Sequence, residues 1–218
     1  MRFAVCVFPG SNCDYDTYYV IRDVLEKEVE FVDHRSRDLS RYDVVVVPGG
    51  FSYGDYLRPG ALAARTPLAE AIYEFSQKGK IVLGICNGFQ ILTELGLLPG
   101  ALLPNTNMRF VCRDVRIRVE NDNTKLTKKL EKGEILRIPV AHHDGRYYVP
   151  EDQLKELEKR GQILFRYVDN PNGSLSDIAG VMNREGNVFG MMPHPERASE
   201  DVMGSHDGLM LWYSLISD

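Results

Sequence analysis

Four consecutive valines, Val44–Val47, run straight into Pro48, Gly49 and Gly50. A strand that is apolar on both faces must be covered on both faces. In a soluble chain that means a parallel sheet sandwiched between helices. The pattern recurs in "KIVLGIC", which ends at Cys86, and in "RFAVCVF" near the start. Between these runs the apolar spacing becomes helical, in "DTYYVIRDVLEKE", in "GALAARTPLAEAIYEFSQKG" and in "NGFQILTELG", with Pro67 expected to break or restart the second of these. Strand–helix alternation of this kind predicts a doubly wound α/β fold.

The second half reads differently. "RFVCRDVRIRVE" and "EILRIPVAHH" are longer strand patterns, and "QILFRYVD" is another that ends at the turn "NPNGS". "PEDQLKELEKRG" is a helix with acids first and bases last, and "HDGLMLWYSLIS" a closing helix. "DIAGVMN" and "VFGMMP" flank a Gly186-Asn187 turn and predict a hairpin. The expectation is a mostly parallel, flavodoxin-like sheet with added antiparallel strands in the second half. With 218 residues and 44% hydrophobic content, one domain over 1–218 is expected.

Charge and composition exclude several classes. A net charge of -5 gives no nucleic-acid footprint. The apolar run before Pro9 is too short for a signal peptide or a membrane span. Cys6, Cys13, Cys86 and Cys112 form no CxxC pair, which fits a reducing cytoplasm and a cytoplasmic protein. Cys6 and Cys112 read as strand residues.

The chemistry is concentrated at "GICNG". G-x-C-x-G is the cysteine counterpart of the nucleophile elbow, a strand-to-helix corner with small neighbours, here Gly84 and Gly88. The Asn87 N–H would face an oxyanion formed by attack of Cys86, and a glycine N–H at Gly50 can supply a second donor. Taken alone, the elbow favours a functional Cys86 over a small buried spacer in a tight turn. A thiol needs a base, and "MMPHPER" offers His194 with Glu196 two residues on. In an extended segment those side chains face the same way, so Glu196 could hold one imidazole nitrogen and leave the other for Cys86. That segment alone also reads as a proline-stiffened surface turn.

"PGG", "GICNGFQIL" and "PHPE", in that order, resemble the class I, or triad, glutamine amidotransferases from the first strand to the last helix. The resemblance implies Cys86 as nucleophile, His194 as base, Glu196 as orienting acid and glutamine as substrate. It further implies an oxyanion hole from the backbone of Gly50 and Asn87, and substrate contacts from Gly49, Phe51, Gln90, Asn107, Arg109 and Phe110. "FPGSNCDYDT", "GGFSYGDYLRPGALA", "NTNMRFVCR" and "NPNGS" resemble the members that serve as glutaminase subunits in purine biosynthesis. This implies a large synthetase partner that uses ATP and Mg, a small accessory subunit, and no cofactor or metal in this chain. "AHHDGRY" departs from the family pattern, which has a glycine after the first histidine, and leaves His142 and His143 without a role.

Three alternatives stay in view. Cys13 is a rival nucleophile without elbow spacing, and reads more simply as a loop residue near a partner surface. His142, His143 and Asp144 are adjacent, and three consecutive residues cannot all turn to one ion without strain. A stand-alone thiol hydrolase or a silent binding module could share the sheet. The intact Cys86, His194 and Glu196 set argues against silence, and "PGSNCD" and "RPGALA" exceed what hydrolysis alone needs. Arg35, Arg37 and Arg41 read as a solvated face.

Overall fold

The structure, a computed structural model, describes residues 1–217; Asp218, the last residue of the expected domain, lies outside the described residues. Strand β1 (Arg2–Val7) leads to helix α1 (Asp14–Tyr19) and then β2 (Glu28–Asp33). β3 (Val44–Val47), α2 (Pro67–Gln77), β4 (Ile81–Ile85) and α3 (Asn87–Glu94) follow. The second half contains β5 (Ala101–Leu103), β6 (Val111–Val119), β7 (Ile135–His142), β8 (Arg146–Tyr148) and α4 (Glu151–Lys159). It closes with β9 (Ile163–Tyr167), β10 (Ile178–Met182), β11 (Val188–Met191) and α5 (Leu209–Ile216).

Nine strands form one sheet in the order β2-β1-β3-β4-β11-β10-β9-β6-β7. β2, β1, β3, β4 and β11 are mutually parallel, with Val44–Val47 paired to Ile81–Gly84 and Val188–Met191 paired to Val82–Ile85. β10, β9, β6 and β7 continue antiparallel. The expected mostly parallel sheet with antiparallel additions is what forms. Burial follows the residue pattern. All four valines of β3 are buried, whereas β6 buries only Val115, Ile117 and Val119 on alternate positions. Each large side chain sealed inside, such as Phe3, Phe89, Phe165 or Trp212, contributes about 1.5–3 kcal/mol through lost water contact.

One local reading changes, and the break expected at Pro67 is found. The helix expected over 16–28 starts as α1 but widens to π spacing over Val20–Val24, with the Leu25 N–H donating to Val20 O at 2.9 Å. The helix expected over 60–79 is interrupted at Thr66, whose extended backbone and Oγ1 cap the Ala69 N–H at 3.3 Å, with Pro67 as first helical residue. β5 and β8 pair as a separate two-stranded sheet that the sequence pattern did not reveal, because three-residue strands carry no period. Among the described residues no helix is long and apolar enough to cross a membrane.

Candidate active site

Parallel direction sets the site. β1, β3, β4 and β11 point the same way, so the segments that follow them meet at one edge of the sheet. That is where open α/β sheets hold ligands. A cavity of about 160 Å³ lies there, lined by Cys13, Gly50, Phe51, Cys86, His194 and Arg197 together with Asn12, Phe110 and Ala141. A larger hollow of about 420 Å³ beside α4 has no cysteine or histidine in its lining, so chemistry of the kind expected cannot sit in it.

Cys86 occupies the corner between β4 and α3 with φ 51° and ψ −105°. An L residue adopts such a backbone only at a cost of about 1–3 kcal/mol, met by the surrounding packing. The corner closes because its neighbours are glycines. A Cβ on Gly88 would lie 1.8 Å from Val47 O, and one on Gly84 would lie 2.7 Å from the backbone of Gly88. α3 therefore starts in contact with the end of β3. The Cys86 thiol is buried, with Sγ 3.6 Å from the Ala141 carbonyl oxygen.

His194 and Glu196 follow β11. Both are buried, and His194 Nδ1 is 2.6 Å from Glu196 Oε1. The contact arises differently from the expectation: Pro195–Arg197 forms a tight 3-10 turn, not an extended segment. The turn is fixed by the His194 N–H, which donates to Pro139 O of β7 at 2.9 Å. Burial alone would push the imidazole down, but the Glu196 carboxylate and the Cys86 sulfur override it and hold His194 well above its ordinary value. His194 Nε2 is buried and has no hydrogen-bond partner among the described residues. Catalytic contacts are commonly loose before substrate enters, so an unpaired Nε2 beside a thiol is compatible with base catalysis.

The remaining expected residues divide. Gly50, Phe51 and Phe110 line the cavity. Gly49 lies beside the imidazole, where a Cβ would come 2.7 Å from His194 Cε1. Asn87 uses its side chain internally, accepting the Ser52 N–H at 3.2 Å and donating to Gln90 Oε1 at 2.9 Å. Gln90 in turn donates to Asp144 O at 2.8 Å. Asn107 and Arg109 are exposed and are absent from the cavity lining; the Arg109 N–H donates to Asn107 Oδ1 at 3.0 Å.

Cys13 is a loop residue, as expected, but a buried one: it lies just before α1, its N–H donating to Gly49 O at 3.1 Å. Arg197 donates to its sulfur at 3.1 Å. Burial raises the Cys13 thiol above its ordinary value. His142 also gains a structural setting. Its Nδ1 is 3.2 Å from Asn105 Oδ1, and Asn105 Nδ2 donates to both Arg109 O and His142 O. Asn105 thus ties the loop before β6 to the end of β7. Burial, then the charge of His194, lowers His142 to about 4, so it stays neutral. Sequence reasoning passed over Asn105 and Arg197. The available signal was the run of asparagines in "NTNMRF" and "NPNGS", a residue type that satisfies loop backbone.

A corner cysteine and a buried His–Glu pair at one sheet edge are what an amide-hydrolysing thiol enzyme requires, and residues 1–210 match the model of the CobB/CobQ-like glutamine amidotransferase domain. The chain belongs to this glutamine amidotransferase family. One amidotransferase relative, phosphoribosylformylglycinamidine synthase subunit PurQ of Aquifex aeolicus (strain VF5), is 76% identical, with 100% of each chain covered. A chain in the solved structure of PurLQS from Thermotoga maritima is 47% identical with a TM-score of 0.92, covering 99% of this chain and 97% of that one. A glutamine amidotransferase from Thermotoga maritima aligns with a TM-score of 0.67 at 17% identity, over 100% of this chain and 99% of that one. At that identity the likeness concerns the fold alone.

Proposed function

We propose that this chain, as one domain over 1–218, is the glutaminase subunit of phosphoribosylformylglycinamidine synthase. It hydrolyses glutamine to glutamate and ammonia and passes the ammonia to a large synthetase subunit. That subunit, with ATP and Mg, converts formylglycinamide ribonucleotide to formylglycinamidine ribonucleotide in de novo purine biosynthesis, and a small accessory subunit completes the complex. The protein is cytoplasmic. The reading rests on its likeness to the PurQ relative and to the PurLQS chain.

The observation that carries the mechanism is the strained Cys86 corner facing the same cavity as the buried His194–Glu196 pair. His194 Nε2 takes the Cys86 proton, and the sulfur attacks the side-chain carbonyl of glutamine. The N–H groups of Gly50 and Asn87 receive the oxyanion, each worth about 3 kcal/mol. The imidazolium, held by Glu196, then protonates the departing ammonia, and water cleaves the thioester by the same route in reverse. Gly49, Phe51 and Phe110 shape the substrate pocket. Asn107 and Arg109 act through the course of the loop they belong to, and Gln90 by fixing Asn87 and Asp144.

The test is Cys86→Ala. Glutamine hydrolysis should vanish, while free ammonia should still support product formation in the assembled synthase. Hydrolysis that survives Cys86→Ala, or that follows Cys13 instead, contradicts the assignment.

A further inference from the structure

The hydrolytic scheme leaves one buried thiol beside the imidazole unused. Cys13 Sγ, a His194 ring nitrogen and a Glu196 carboxylate oxygen all lie within 4.8 Å of one another, and all three residues are buried. His194 Nε2 and Glu196 Oε2 have no hydrogen-bond partner among the described residues. Gly49 makes the approach possible, since a Cβ there would lie 3.0 Å from Cys13 Sγ and 2.7 Å from His194 Cε1. Three donor atoms of different softness thus converge without a side chain between them.

Sulfur, imidazole nitrogen and carboxylate oxygen are the donor types of four-coordinate zinc. Metal–sulfur and metal–nitrogen bonds of about 2.3 and 2.0 Å put neighbouring donors roughly 3.5 Å apart. None of the present separations exceeds that by more than about 1.3 Å. Charge also matches: a Cys13 thiolate and the Glu196 carboxylate balance a divalent ion. The Arg197 guanidinium beside Cys13 is already paired with Asp16 at 3.1 Å. The cavity that holds Cys86 leaves room for water at a fourth position.

We propose that Cys13, His194 and Glu196 form an inhibitory site for a thiophilic divalent cation such as zinc. Binding releases the Cys13 proton, and any proton on the coordinating imidazole nitrogen, to solvent while metal–sulfur, metal–nitrogen and metal–oxygen bonds form. No electron is transferred. The ion takes the imidazole and its orienting carboxylate away from Cys86, so hydrolysis stops while the fold gains stability. The effect on hydrolysis rests on the function proposed above; the site itself does not.

Cobalt(II) titration of the full chain tests this, with the exposed Cys112 replaced by serine in every sample to remove a surface thiol. A thiolate-to-cobalt absorption band at one ion per chain is expected. It should persist in Cys86→Ala and weaken at least tenfold in affinity in Cys13→Ser and in Glu196→Gln. Zinc-edge absorption of the otherwise unaltered chain supplies a check that needs no ligand variant, and one sulfur neighbour is expected. Absence of the band, its loss in Cys86→Ala, its survival in Cys13→Ser, or a zinc shell with two sulfurs or none would each overturn the site. If the metal-free parent chain does not hydrolyse glutamine in the assembled synthase, the proposed function fails, and the cobalt band still decides the metal site.

Discussion

The cavity has two unlike walls. The floor is built from the ends of β3, β4 and β11 and the start of α3, where Gly84 and Gly88 let backbone meet backbone and Cys86 is locked at φ 51°. The facing wall includes Phe51 and Phe110, which belong to the loops 50–57 and 105–110. There Tyr53, Asp55, Leu57 and Met108 all have positive φ, and Phe51, Tyr56, Leu57, Met108 and Phe110 are exposed. The floor is over-determined by packing, and its strain is held in place. The wall carries comparable strain and little cover. A rigid nucleophile facing an unfinished pocket is the arrangement expected of a glutaminase that should not run until a partner arrives. On this comparison the wall, and not the thiol, is the part that a partner would have to complete.

The largest effects fall on the floor. His194→Ala removes the base and should lower kcat for glutamine at least about a hundredfold, measured in the assembled synthase. Glu196→Gln keeps the shape and removes the charge that holds His194 high, so its loss should be smaller. With that charge gone His194 titrates lower, so the acid limb of the activity profile should move to lower pH than the parent's. An unaffected Glu196→Gln enzyme would remove Glu196 from the mechanism. Next comes Gly88→Ala. The 1.8 Å approach to Val47 O cannot be relieved by a rotamer, so denaturant unfolding should show a loss of at least about 2 kcal/mol. A neutral result would mean that the floor is softer than the packing implies.

How much of this was legible in the sequence divides along the same line. Val44–Val47, "GICNG" and "MMPHPER" declare the floor because each is a local pattern whose meaning does not depend on a distant residue. The wall is legible only as glycine-rich and asparagine-rich loop. The burial of Cys13 beside His194, the Asn105–His142 contact and the β5–β8 pairing all join segments far apart in the chain. No periodicity encodes such contacts. The 3-10 turn at Pro195 shows the converse: the His194–Glu196 contact was foreseen, but through a backbone geometry that the chain does not use.

The smallest expected effect lies in the wall. Burial, then the charge of Asp144, raises Asp55 to about 6, and one of its carboxylate oxygens is buried without a partner. A carboxyl raised in the folded state stabilises below its unfolded value near 4, and that contribution is lost as pH climbs to about 6. Asp55→Asn should therefore slow amide exchange in 50–57 at pH 7.5 and change it little at pH 4. The opposite order would place the weakness of the wall elsewhere.

The comparison between walls is tested most directly by one rate measured twice. Glutamine hydrolysis by the purified chain should be slow. It should rise at least about tenfold when the synthetase subunit and its nucleotide or substrate are added, an effect smaller than one full oxyanion donor. Equal rates in both conditions would mean that the wall is already complete, and that the chain is a hydrolase in its own right.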